Sequence, residues 1–187
     1  MTVTPTAIPD VKLITPQVFG DARGWFYEAY SAKQLLCCGI ETVFVQDNRS
    51  YSAEKGTLRG LHCQKAPFAQ AKLLSCMRGE ILDVAVDLRE GSPTYLQHIA
   101  VRLSAENKQM LYIPKGFLHG FVTLTDDVEV FYKVDADYNK DADRSIRYDD
   151  PAFAIDWGVA SPILSEKDKT APLYKDSDVR FTYGGGV

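Results

Sequence analysis

Apolar and polar residues alternate with period two along much of the chain. In Glu80–Arg89, Leu82, Val84, Val86 and Leu88 share one face, while Asp83, Ala85, Asp87 and Arg89 share the other, as expected of a β-strand. His98–Leu103 and Val128–Val134 alternate in the same way, and shorter pieces lie at 58–64, 72–77, 110–113 and 120–124. Turn signals at Arg78-Gly79, Glu90-Gly91-Ser92-Pro93 and Thr125–Asp127 separate them at short intervals. Many short strands with regular punctuation predict an all-β, antiparallel sandwich or barrel.

One helix interrupts the alternation. Ser31 is placed to cap it, Gln34 to complete a capping box, and Gly39 lies just past its end. This short helix is predicted to cover one sheet opening. After Asp149 the chain turns proline-rich and irregular, through Pro151, Pro162 and Pro172, and Tyr183–Val187 is expected to fray. No repeat, low-complexity tract or linker divides the 187 residues, so a single domain over 1–187 is predicted, irregular from about 150.

Composition then narrows the class. The chain is 45% apolar and 25% charged, as globular proteins are. No stretch approaches the ~18 consecutive apolar residues of a membrane span. Met1–Asp10 has neither the basic nor the apolar region of a secretory leader, so the cytoplasm is the expected compartment. The 21 basic and 25 acidic residues are mixed along the chain, which argues against a nucleic-acid partner. Cys37, Cys38, Cys63 and Cys76 follow no metal or disulfide spacing, and all four are expected as reduced thiols in the core.

Three histidines are present. His98 shares a strand face with Arg102 and reads as a surface residue. His62 and His119 sit among glycines and apolar residues, where an imidazole needs a partner; taken singly, each reads as a hydrogen-bonded core histidine. Together their spacing resembles the cupin jelly-roll superfamily. Gly56 precedes His62 by six positions, and Pro114-Lys115-Gly116-Phe117-Leu118-His119 matches the second cupin motif. At the four places where metal-binding cupins hold a divalent ion stand His62, Gln64, Lys72 and His119. An ammonium in place of a carboxylate repels a cation, so no metal is expected.

The chain further resembles the dTDP-4-dehydrorhamnose 3,5-epimerases and related nucleotide-sugar epimerases, from about Ile14 to Pro172. The resemblance rests on Asp21–Glu28, Gln46-Asp47-Asn48, Leu58–His62, Lys72-Leu73, Arg78-Gly79-Glu80, Asp83–Arg89, Leu103–Asn107, Ile113–Phe121, Phe131-Tyr132-Lys133 and Leu164–Asp168. It implies a cupin-type jelly-roll barrel with a few short helices. It also implies inversion at C3 and C5 of dTDP-4-dehydro-6-deoxy-D-glucose through enolates. Such chemistry asks for a base on one face of the sugar, an acid on the other and a donor at the oxyanion. It needs no redox cofactor, and no dinucleotide fingerprint is present.

By this resemblance His62 is the base, Asp168 its partner and Tyr132 the acid, while Lys72 and His119 stabilise the enolate oxygen. Arg23, Glu28, Gln46, Asp47, Asn48, Arg59, Asp143 and Lys167 are implied as nucleotide and sugar contacts. Strict alternation sends Arg59 to the face opposite His62, unless Gly56 or Gly60 admits a bulge. Two departures stand out: Cys63 replaces an aromatic residue, and Asp143 a glutamate. A homodimer is expected, with the apolar Arg23–Glu28 segment of one chain reaching the site of the other. The competing readings are a single-centre epimerase of another deoxysugar, a metal-dependent cupin oxygenase or isomerase, and a sugar-binding jelly roll without catalysis.

Overall fold

The alternating segments fold as strands, and the turn signals between them as tight connections. The computed structural model describes residues 1–185. The amino-terminal stretch forms β1 (Thr2–Pro5), β2 (Lys12–Thr15) and the hairpin β3 (Val18–Asp21) and β4 (Gly24–Tyr27), followed by helix α1 (Ala32–Cys37). Next come β5 (Gln46–Ser52), β6 (Leu58–Gln64), β7 (Lys72–Arg78), β8 (Glu80–Asp87) and the two-residue β9 (Arg89–Glu90). They are succeeded by β10 (His98–Ser104), β11 (Met110–Ile113), β12 (Phe117–Thr123), β13 (Val128–Val134) and β14 (Asp143–Ser145). The last part carries the short helix α2 (Glu166–Lys169) and β15 (Phe181–Thr182).

Six strands form one antiparallel sheet in the order β1-β2-β11-β7-β13-β5, and five form another in the order β10-β8-β12-β6-β14. Their inner faces meet over Leu74, Ile81, Ala85, Leu111, Phe121 and Val130. The result is the two-sheet antiparallel architecture that the pattern predicts, arranged as the cupin-type jelly roll that the resemblance implies. β8 lies inside its sheet and is covered on both sides, so its second face, Asp83, Ala85 and Asp87, is as buried as its apolar one.

The outer face of the five-stranded sheet carries Leu58, Val84, Val86, Leu118 and Val122. The irregular carboxy-terminal stretch covers it with Phe153, Trp157, Tyr174, Val179 and Phe181. This stretch is therefore fastened down, and the expected fraying does not begin at Tyr183. Tyr183 donates its backbone N–H to Glu90 at 2.9 Å, and its ring lies 5.0 Å from the Arg89 guanidinium. Gly185 likewise donates its N–H to the Thr182 carbonyl at 3.2 Å, and Gly186 and Val187 lie outside the described residues.

Helix α1 starts where predicted, with Ser31 Oγ accepting from the Gln34 N–H at 3.4 Å. The capping box does not close, because the Gln34 side chain donates instead to Glu28. Rather than covering an opening, α1 sets Leu35 on the outer face of the six-stranded sheet with Ile14, Leu73 and Met110. That orientation leaves Cys37 exposed and Cys38 half-buried, so only Cys63 and Cys76 are core thiols. The strand expected at 120–124 begins three residues earlier, at Phe117, directly after the Pro114–Gly116 turn.

Candidate active site

Strands β6 and β12 place His62 directly opposite His119, and the same row continues to Ala85 on β8 and Ser145 on β14. Residues paired in this way share a sheet face, so both imidazoles point between the sheets. From the facing sheet, Lys72 on β7 and Tyr132 on β13 point inward with Leu74 and Val130, opposite in phase to the outward Leu73 and Lys133. The four side chains line a cavity of about 410 Å³. A second lobe of about 240 Å³ shares His62, Lys72 and Tyr132 with it.

Arg59 joins them through a bulge. From Phe121 to His119 β12 advances two residues, while β6 advances three, from Arg59 to His62. The extra residue restores Arg59 to the face of His62. Gly60 makes this possible: its φ is +132°, and a Cβ there would lie 2.6 Å from Gly120 Cα. The Arg59 guanidinium is then aimed by two bonds, Nε to Ser52 Oγ at 3.1 Å and Nη2 to the Tyr51 carbonyl at 2.8 Å.

Each histidine is held by its own carboxylate. His62 Nε2 lies 2.6 Å from Asp168 Oδ1; the imidazole is 31% exposed and the carboxylate 3%. Because an ionised carboxylate only accepts, Nε2 carries the proton and Nδ1 keeps its lone pair. Asp168 arrives because the chain returns beside β6, with Leu58 N–H to the Ile163 carbonyl at 2.9 Å, and Ser165 then caps α2. Burial alone lifts the Asp168 carboxyl, but hydrogen bonds from His62, Ser165 and the Gly60 N–H outweigh it and hold the group below its ordinary value.

His119 is 8% exposed, and its Nε2 lies 2.7 Å from Asp83 Oδ1, itself fully buried. Its Nδ1 accepts from the Lys72 ammonium at 3.4 Å. Burial is the main influence on His119 and lowers its pKa, which favours the neutral ring this arrangement requires. Burial likewise lowers Lys72, against the pull of the Asp83 and Asp143 carboxylates. Tyr132 is pushed up by burial, which the Arg59 charge partly opposes, so its phenol keeps its proton.

The other expected residues divide into three groups. Gln46, Asn48, Asp143 and Lys167 line the second lobe, with Lys167 Nζ 2.6 Å from Asp143 Oδ2. Asp47 is a correction: alternation turns it to the outer face of β5, where it bonds Lys133 at 2.8 Å. Arg23 and Glu28 belong to the hairpin arm and its end, bonded to Asp21 and Gln34, and neither lines the cavity of its own chain. Two residues were missed. Asp83 could have been noticed as a carboxylate on the Ala85 face of a central strand. Tyr138, which lines the second lobe and donates to Asp143 at 3.2 Å, lies in a loop without periodic signal.

These donors do not fit the metal of other cupins. The Lys72 ammonium stands against His119 Nδ1, both Nε2 atoms are taken by carboxylates, and the Gln64 amide is bonded to two loops.

A carboxylate-held imidazole on one sheet, with a phenol and an ammonium on the other, defines a jelly-roll protein whose cavity is lined with groups able to transfer protons. The family profile described as dTDP-4-dehydrorhamnose 3,5-epimerase matches residues 5–176. The dTDP-4-dehydrorhamnose 3,5-epimerase of Shigella flexneri is 48% identical over 179 residues, covering 95% of this chain and 98% of the relative. The crystal structure of the Bacillus anthracis str. Ames enzyme with TDP and PPi bound has 52% identity and a TM-score of 0.90, covering 92% of this chain and 98% of that one. The dTDP-6-deoxy-D-glucose-3,5-epimerase of Legionella pneumophila Philadelphia 1, in complex with dTDP-4-keto-L-rhamnose, has 45% identity and a TM-score of 0.91, covering 96% and 98%. The chain belongs to the dTDP-4-dehydrorhamnose 3,5-epimerase family.

Proposed function

We propose that the chain, acting as one domain, inverts C3 and C5 of dTDP-4-dehydro-6-deoxy-D-glucose to give dTDP-4-dehydro-L-rhamnose. The observation that carries the reading is the placement of His62 and Tyr132 on opposite sheets, both lining one cavity. His62 Nδ1 takes a proton from the carbon beside the keto group, and the electron pair moves into the C=C of an enolate. Asp168 stabilises the imidazolium as it forms. Tyr132 delivers a proton from the other face, and the centre is inverted.

The oxyanion falls to Lys72. One of its three protons is engaged by His119 Nδ1, which leaves the others for the substrate oxygen. A donor of this kind is typically worth about 3 kcal/mol in the transition state. His119 is then the holder of the ammonium, with its tautomer fixed by Asp83. Arg59 binds the diphosphate, as its two-bond support and fork geometry suit. Gln46, Asn48, Asp143 and Lys167 bind the nucleotide sugar in the second lobe. No metal or redox cofactor enters.

The working form is a cytoplasmic homodimer. Phe19, Trp25 and Phe26 stand 55%, 61% and 66% exposed on the hairpin arm. An apolar trough of about 310 Å³, lined by Leu73, Met77, Met110 and Phe131, lies open on the outer face of the six-stranded sheet. A second copy covers both, and Arg23 and Glu28 then reach the partner's site. Incubation with dTDP-4-dehydro-6-deoxyglucose in deuterated water tests the whole reading: NMR of the product should show deuterium and inversion at both C3 and C5. Deuterium at one centre alone makes the protein a single-centre epimerase, and none at either rejects enolate chemistry.

A further inference from the structure

Gln64 stands at a metal-ligand position of other cupins, yet neither metal nor proton transfer uses it here. It follows His62 by two residues on the same face of β6, is 5% exposed, and has every polar group of its amide engaged. Nε2 donates to the Phe68 carbonyl at 2.7 Å and to the Asp137 carbonyl at 3.1 Å, and Oε1 accepts from the Asn139 N–H at 2.6 Å. One side chain thus fastens two loops, the one leaving β6 and the one entering β14. The second loop carries Tyr138, whose hydroxyl donates to Asp143 Oδ2, the oxygen that also binds Lys167.

We propose that Gln64 is a positioning residue for substrate binding: it sets the wall of the second lobe, Tyr138, Asp143 and Lys167, relative to the base two residues before it. The inference rests on the epimerase reading of the cavity. Buried polar groups need partners, and removing this amide strands two carbonyls and an N–H together, so the loops part. His62, Asp168 and Lys72 are fixed by other bonds and Tyr132 by the pairing and packing of β13, so all four stay where they are. The loss therefore falls on binding and leaves the chemical step in place.

Two variants separate these effects. Gln64→Met removes all three bonds. Gln64→Glu keeps the shape and the acceptor for Asn139 but turns a carboxylate toward two carbonyls. Both should raise KM about tenfold and weaken dTDP binding in calorimetry by a similar factor, with kcat within about threefold of the parent. In the unaltered protein the Asn139 amide should be strongly protected from hydrogen exchange, a readout independent of whether the variants fold. Unchanged KM in both variants, a fall in kcat with KM unmoved, or an Asn139 amide exchanging at the open-chain rate each overturns the proposal. An unaltered protein that neither binds dTDP nor epimerises overturns the functional reading instead.

Discussion

His62 and His119 are cross-strand partners, yet each gives its Nε2 to a different buried carboxylate, Asp168 and Asp83. The two imidazoles are held in the same tautomer for opposite ends. His62 stands open to the cavity with Nδ1 free to take a proton, whereas His119 is enclosed and spends Nδ1 on the Lys72 ammonium. Two like residues on one face are thus set apart by their surroundings alone, as the proposed base and the support of the ammonium.

Asp168→Asn should keep the fold and lose the chemistry. The amide occupies the same space but no longer stabilises the imidazolium, and its NH₂ group favours the other tautomer. We expect kcat to fall about 10²–10⁴-fold with KM little changed. Steady-state kinetics of the folded variant decide the matter, and a fall of less than about threefold removes Asp168 from the mechanism.

The alkaline side of the pH profile should belong to Lys72. The proposed mechanism needs its charge at the oxyanion, and burial places its pKa below the ordinary 10.5. Activity is therefore full while the ammonium is charged and falls as pH rises through that lowered value. Stability moves the other way, increasing with pH between the folded and unfolded values, because the unfolded chain binds the proton more tightly there. Tyr132, pushed up by burial, is not the titrating group. Solvent isotope exchange by Tyr132→Phe should keep the same alkaline limb, and loss of that limb in the variant assigns it to the phenol.

Gly60→Ala tests the bulge that brings Arg59 beside His62. The added Cβ meets the Gly120 backbone at 2.6 Å, at a φ few side chains adopt. We expect a destabilisation of roughly 3 kcal/mol, read as a fall in Tm of about 6–12 °C. A variant that melts with the parent shows that the strands separate easily and that glycine is not required there.

Much of this architecture was legible in the chain, and what was not has physical reasons. β13 coincides with its alternating segment because it has one inward and one outward face, and β6 and β11 keep their expected bounds although a bulge breaks the alternation of β6. β5 escaped notice, since its alternation is between polar residues: Gln46, Asn48 and Ser50 turn in, and Asp47, Arg49 and Tyr51 turn out. The resemblance implies Asp47 as a contact by its motif alone, and the alternation of β5 turns it outward to Lys133. Residue type points Cys37 and Cys38 to the core, but a two-turn helix resting on Leu35 cannot bury its other faces. The pairing of His62 with Asp168 joins positions 106 apart in sequence. No local pattern encodes it; only the family resemblance supplied the expectation.

The arm should depend on a partner. Sedimentation at micromolar concentration is expected to give a dimer, and Trp25→Glu, which sets a charge on the exposed aromatic surface, to give monomers with much reduced activity. A Trp25→Glu monomer with full activity excludes the shared site.

The most direct test of opposed base and acid is the ratio of isotope exchange to epimerisation in Tyr132→Phe. The substitution removes one hydroxyl and leaves the ring. His62 can still take a proton and return a deuteron to the same face, while delivery from the far face slows about 10²–10⁴-fold. The variant should therefore label unepimerised substrate with deuterium faster than it forms product, whereas His62→Ala should do neither. Exchange and epimerisation falling together, by the same factor, in Tyr132→Phe would contradict the account.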